Sequence, residues 1–179
     1  MNIIETPLSD CLILEPKVFG DSRGFFLEAW HEKKYKEAGI KEEFVQDNRS
    51  RSAKNVLRGL HFQKTKPQGK LVSVISGAVY DVAVDLRLDS ATFGQYVGVI
   101  LTGEKNNQLY VPPGFAHGFC VLSDYADFHY KCTDFYDPSD EGGIMWNDTE
   151  LSIDWPVESP LLSDKDQKQM TLKQYREMK

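Results

Sequence analysis

The sequence predicts an all-β fold: an antiparallel jelly roll or small barrel carrying a few short helices. Three observations lead there. The apolar runs are short and strand-like, glycine and proline stand at the joints between them, and only one stretch has a helical charge pattern. In order, Leu12-Ile13-Leu14 and Phe25-Phe26-Leu27 give two early strand-like runs. The charged stretch 31–38 reads as a helix closed by Gly39, since glycine accepts the left-handed backbone that ends helices. From Val56 onward strand signals follow quickly, at 56–62, 70–76, 79–87, 96–101, 108–111, 118–122 and 128–135. Pro67, Gly69, Gly77, Gly94, Gly103 and Pro112-Pro113-Gly114 punctuate them. The charged tail from about residue 164 is expected to be helical or partly disordered. No internal repeat, low-complexity tract or linker interrupts the chain, so residues 1–179 read as one domain.

The strand at 79–87 places Tyr80, Val82, Val84 and Leu86 on one face and Val79, Asp81, Ala83, Asp85 and Arg87 on the other. Ordinary half-buried alternation puts the Asp/Arg face in solvent. A polar active site inside a barrel would put those carboxylates in the lumen. The pattern favours solvent and leaves both placements open.

Composition narrows the function. Hydrophobic residues make up 41%, charged residues 27% and aromatics 12%, which is ordinary for a chain that buries a core. A net charge of -6 and a pI near 5.2 argue against a general nucleic-acid binder. Cys11, Cys120 and Cys132 lie far apart without CxxC spacing, which fits a reducing compartment and excludes a structural-zinc framework. The N-terminus has no basic leader, and no run approaches the roughly 20 apolar residues a bilayer demands. A cytoplasmic protein that binds no membrane is expected.

Four histidines are available for chemistry: His31, His61, His117 and His129. His31 opens the charged helix and reads as surface. His129 neighbours Tyr130 in a strand, so only one of the two faces the interior. His117 ends a P-x-G-x-x-H pattern, Pro112 to His117, of the kind that delivers a histidine into a cupin barrel. The companion H-x-H pair is missing, since Gln63 stands where the second histidine would be. A metal site wants three or four convergent ligands, so no bound metal is expected. Arg49, Arg51, Lys54 and Arg58 form a basic cluster suited to a diphosphate or, equally, to a solvated loop. No Walker A loop, G-x-G-x-x-G or G-x-S-x-G is present.

Several segments, in unbroken order, resemble one family. They are Phe44-Val45-Gln46-Asp47-Asn48, Leu57-Arg58-Gly59-Leu60-His61-Phe62-Gln63, Gln68-Gly69-Lys70-Leu71-Val72, Asp81-Val82-Ala83-Val84-Asp85-Leu86-Arg87, Gly114-Phe115-Ala116-His117-Gly118-Phe119 and Tyr130-Lys131-Cys132-Thr133. Trp146-Asn147-Asp148, Ile153-Asp154-Trp155-Pro156 and Ser163-Asp164-Lys165-Asp166 complete the series. The sequence is similar to the dTDP-4-dehydrorhamnose 3,5-epimerase family from about Thr6 to Asp166. The resemblance implies a cupin-like jelly roll forming a single epimerase domain, a homodimer, a dTDP-sugar substrate, and neither metal nor organic cofactor.

By that resemblance His61 is the base that removes a proton beside the C4 ketone of a dTDP-4-keto-6-deoxyhexose, with Asp166 orienting it. Lys70 stabilises the enolate and Tyr130 returns a proton to the opposite face. Arg23 and Arg58 hold the diphosphate, Gln46, Asn48 and Glu28 add polar contacts, His117 contacts substrate, and Phe19 and Phe26 stack on thymine or fill core. Asp166 sits in a tail segment that a surface turn would suit equally. Simple alternation puts Leu57, Gly59, His61 and Gln63 on one strand face and Arg58 on the other. For Arg58 and His61 both to reach substrate, the strand must bulge, and Gly59 is the residue that permits it. The alternatives are a 3-epimerase or ketoisomerase on the same fold, a metal-dependent cupin, and a non-catalytic sugar-binding cupin.

Overall fold

The computed structural model describes residues 1–178. Thirteen strands form in chain order: β1 Asn2–Glu5, β2 Leu12–Glu15, β3 Val18–Asp21, β4 Gly24–Leu27, β5 Gln46–Ala53, β6 Leu57–Gln63, β7 Lys70–Ser76, β8 Ala78–Asp85, β9 Tyr96–Thr102, β10 Gln108–Val111, β11 Phe115–Val121, β12 Tyr125–Cys132 and β13 Glu141–Gly143. Helix α1 spans Glu32–Glu37, a 3-10 turn Asp166–Lys168, and helix α2 Leu172–Glu177. The expected all-β jelly roll with a few short helices is what the chain adopts.

Two antiparallel sheets face each other. One runs β1-β2-β10-β7-β12-β5 and the other β13-β6-β11-β8-β9, with β3 and β4 paired as a separate hairpin. Between the sheets lies an apolar core of Val72, Val74, Leu109, Val111 and Phe128 from the first sheet and Val79, Ala83, Leu101, Phe119 and Val121 from the second. Burying each of the larger of these contributes roughly 1.5–3 kcal/mol. The outer face of the first sheet is covered beside α1 by Leu14, Tyr35, Ile40, Leu71 and Tyr110. The outer face of the second is covered by the chain beyond β13, whose Trp155, Leu172 and Tyr175 join Val82, Val84 and Leu86 in one cluster.

That outer cover decides the faces of β8, which the sequence left open, and the Asp/Arg face turns out to be buried. Asp81 and Asp85 are both fully buried, Asp81 against His117 and Asp85 under Arg87, Ser90 and Thr92. The apolar face is buried as well, beneath the C-terminal chain, so β8 has no wet side. Burial by itself would raise the Asp85 carboxyl. The Arg87 side chain, the Ser90 and Thr92 hydroxyls and the Arg87 amide outweigh it and hold the group at about 2.

Some strand limits differ from the expected ones. β8 stops at Asp85, where its carboxylate accepts the Arg87 amide and turns the chain. β11 begins three residues early, at Phe115, and β12 runs from Tyr125 to Cys132. β5 arises from Gln46-Asp47-Asn48-Arg49-Ser50-Arg51-Ser52-Ala53, a stretch with no β-branched or aromatic residue. The tail is folded: the Thr171 hydroxyl and Gln174 side chain form a reciprocal cap on α2, and the Leu172 amide donates to the buried Asp148 carboxylate.

Candidate active site

Where the core gives way to polar side chains, a cavity of about 640 Å3 opens. It is lined by Ser50, Arg58, His61, Lys70, His117, Phe119, Phe128, Tyr130, Ser163, Lys165 and Asp166. A second lobe of about 340 Å3 shares His61, Lys70 and Tyr130 and adds Gln46, Asn48, Gln68, Tyr136 and Glu141. The two sheets supply opposite walls. Lys70 and Tyr130 come from β7 and β12, while His61 and His117 come from β6 and β11, directly opposite each other in the pairing.

The bulge expected at Gly59 is present. Moving from the His61–His117 pair to the Arg58–Phe119 pair, β6 advances three residues and β11 only two. Gly59 absorbs the extra residue at φ +123°, and a Cβ there would lie 2.5 Å from the Gly118 Cα. Arg58 and His61 therefore both line the cavity. Arg58 Nε donates to the Ser52 hydroxyl at 3.0 Å.

His61 Nε2 lies 2.5 Å from Asp166 Oδ1. The carboxylate fixes the proton on Nε2, so Nδ1 carries the lone pair. Burial would raise the Asp166 carboxyl, but the bond to His61, that ring's charge and the Ser163 hydroxyl together hold it below the ordinary carboxylate range. Nδ1 stands 4.0 Å from Glu141 Oε1, whose carboxylate also takes bonds from Lys165 at 2.7 Å and Tyr136 at 2.9 Å. Across the cavity, burial pushes the Lys70 ammonium below its ordinary value against the opposing charges of Cys132, Asp81 and Glu141. Burial likewise raises the Tyr130 phenol above its ordinary value. His117 Nε2 bonds both Asp81 oxygens, at 2.9 and 3.1 Å, and its ring stacks near Phe128.

Eight of the twelve residues singled out from the sequence thus share one cavity: His61, Lys70, Tyr130, Asp166, Arg58 and His117 in the first lobe, Gln46 and Asn48 in the second. The tail delivers Asp166 as a buried partner of His61 and not as a surface turn. The remaining four lie elsewhere in this chain. Phe19, Arg23 and Phe26 sit on the exposed β3–β4 hairpin, with Phe26 69% exposed and Arg23 paired to Asp21, and Glu28 pairs with Lys34. Of the basic cluster only Arg58 enters the cavity; Arg49 and Arg51 point outward onto Asp127, and Lys54 is exposed.

Sequence reasoning missed Ser50, Tyr136, Glu141, Ser163 and Lys165. Ser163 and Lys165 lay inside the recognised Ser163-Asp164-Lys165-Asp166 segment, and the even spacing of Gln46, Asn48 and Ser50 was available as a strand signal. Gln63 is fully used as a brace, donating to the Lys66 and Phe135 carbonyls and accepting the Asp137 amide. Among the described residues, no three His, Cys, Asp or Glu side chains converge as a metal site would require.

A family model described as dTDP-4-dehydrorhamnose 3,5-epimerase matches residues 5–174. The chain belongs to that family. A dTDP-4-dehydrorhamnose 3,5-epimerase of Shigella flexneri is 58% identical over 168 residues, covering 93% of each chain. The crystal structure of a family member from Legionella pneumophila, in complex with dTDP-4-keto-L-rhamnose, superposes with a TM-score of 0.93 at 57% identity, covering 96% of this chain and 93% of that one. A dTDP-4-dehydrorhamnose 3-epimerase of Streptomyces niveus is 40% identical, covering 92% of this chain and 80% of its own. The cavity between the sheets is therefore the candidate active site of an epimerase-family jelly roll.

Proposed function

We propose that this chain inverts C3 and C5 of dTDP-4-keto-6-deoxy-D-glucose to give dTDP-4-keto-L-rhamnose, in the supply of dTDP-L-rhamnose. The observation that carries the reading is the placement of a carboxylate-held histidine on one sheet and a protonated tyrosine on the other, with Lys70 beside the tyrosine. Inversion of a carbon needs a proton removed from one face and returned to the other, and walls of opposite sheets present the two groups that way.

In this mechanism His61 Nδ1 takes the proton from the carbon next to the C4 ketone. The Asp166 carboxylate stabilises the imidazolium that forms. Negative charge moves to the C4 oxygen, where the Lys70 ammonium meets it in a site that burial has partly dried. Tyr130 then donates its phenolic proton to the opposite face. The substrate's own ketone acts as the electron sink, so the step asks for neither metal nor organic cofactor. Arg58 and His117 are suited to the diphosphate, and Gln46 and Asn48 to polar contacts in the second lobe.

The chain is further proposed to act as a homodimer of one epimerase domain, residues 1–179. The β3–β4 hairpin supports this, since it exposes Phe19, Phe25 and Phe26 far more fully than a solvated hairpin favours. Phe19, Arg23 and Phe26 line a different cavity from the one beside His61, so a hairpin from a second copy would bring them to a nucleotide bound there. A cytoplasmic site fits the nucleotide-sugar substrate and three unpaired, buried cysteines, and no helix among the described residues is long and apolar enough to cross a membrane. Incubation with dTDP-4-keto-6-deoxy-D-glucose, borohydride reduction and identification of the sugars test the activity. Rhamnose in the reduced product is expected; a sugar inverted at C3 alone would establish the 3-epimerase reading instead.

A further inference from the structure

The Asp166 carboxylate is buried, 3% exposed, and needs a partner for each oxygen. Oδ1 faces His61 Nε2. Oδ2 accepts the Ser163 hydroxyl at 2.8 Å, and the Asp166 amide donates back to the same hydroxyl at 3.2 Å. The two bonds lock the serine rotamer and the carboxylate plane together. The nearest cation in sequence, Lys165, bonds Glu141 at 2.7 Å and acts on Asp166 only through its charge. A neutral hydroxyl therefore satisfies Oδ2 without cancelling the negative charge that His61 needs when it becomes an imidazolium, whereas an ammonium in that place would weaken it.

We propose that Ser163 is a positioning residue for the base: it holds the Asp166 carboxylate in the plane that keeps the His61 proton on Nε2 and the lone pair of Nδ1 toward the substrate. The proposal rests on the reading of His61 as the base. Ser163 neither donates nor accepts the transferred proton; it acts through Asp166.

The test compares Ser163→Ala and Ser163→Thr with the parent, by turnover of dTDP-4-keto-6-deoxy-D-glucose and by nitrogen NMR of the His61 ring. Ser163→Ala is expected to lose about tenfold in kcat at unchanged KM, as removal of outer supports of a reacting group does. Ser163→Thr, which keeps the hydroxyl, is expected to return kcat to near the parent value. In the NMR spectrum the parent and Ser163→Thr show a single Nε2-protonated tautomer and Ser163→Ala a mixture. A kcat for Ser163→Ala within about twofold of the parent overturns the proposal, as does a folded Ser163→Thr no faster than Ser163→Ala. Should the parent itself turn over no substrate, the epimerase reading falls, and the proposal is then judged on the ring alone: an unchanged tautomer in Ser163→Ala overturns it.

Discussion

His61 owes its setting to groups far from it in sequence: Asp166, more than a hundred residues on, and Glu141 from β13. The histidine was named by the family resemblance, and its strand was legible from the strand-like run 56–62, with Gly59 marking the bend two residues before it. Asp166 was named by the resemblance only, since its seat depends on how the tail crosses the outer face of the second sheet. His61→Ala is expected to lower turnover by about 10²–10⁴-fold, the usual worth of a general base. Tyr130→Phe keeps the ring and removes only the donor, so proton removal should persist while inverted product falls; solvent-exchange and product assays run on the same sample separate the two.

Asp85 carries the clearest pH signature away from the cavity. Its folded value of about 2 lies below the ordinary 3.8. The stability it contributes is therefore complete above pH 3.8 and lost as pH falls through about 2. Acid titration of chemical stability should show the gap between parent and Asp85→Asn closing across that window. A gap that stays constant through it contradicts the assignment.

At the scale of elements, the bulge in β6 brings Arg58, the proposed diphosphate ligand, into the cavity that holds the proposed base His61. Without the extra residue at Gly59, Arg58 would point away from the face that carries His61. Gly59→Ala meets both a positive φ and a Cβ placed 2.5 Å from Gly118 Cα. It is expected to destabilise the fold by about 2–4 kcal/mol, visible as a lowered melting temperature, and to raise KM as Arg58 is displaced. This device could be read in advance, because alternation and chemistry disagreed at one glycine. β5 was harder to read, since its strand is made by polar residues: Gln46, Asn48 and Ser50 turn toward a polar cavity, and only their even spacing marks a strand. The strand β8 was read correctly, but its facing stayed open for the opposite reason. Both of its faces are buried, so the rule that a charged face is a solvated one had no purchase.

For the whole molecule, glycine and proline at the strand corners made the jelly roll legible, while the assembly was not. The aromatics of the β3–β4 hairpin stay exposed, Phe19 meeting the Lys17 ammonium at 4.9 Å over its ring, and the family resemblance alone suggested their use. Sedimentation of the protein should return twice the chain mass of 20.4 kDa. Replacing Phe25 and Phe26 with aspartate should shift it toward the monomer and weaken nucleotide binding together. A dimer unaffected by those changes would place the interface elsewhere.

As the proposed base, His61 exchanges the protons on both carbons beside the C4 ketone. Incubating the protein with dTDP-4-keto-6-deoxy-D-glucose in deuterated water, and locating the label by NMR and mass spectrometry, tests it most directly. Deuterium is expected at C3 and C5 with the parent and at neither with His61→Ala. An unlabelled substrate with the parent, or undiminished labelling with His61→Ala, would contradict it.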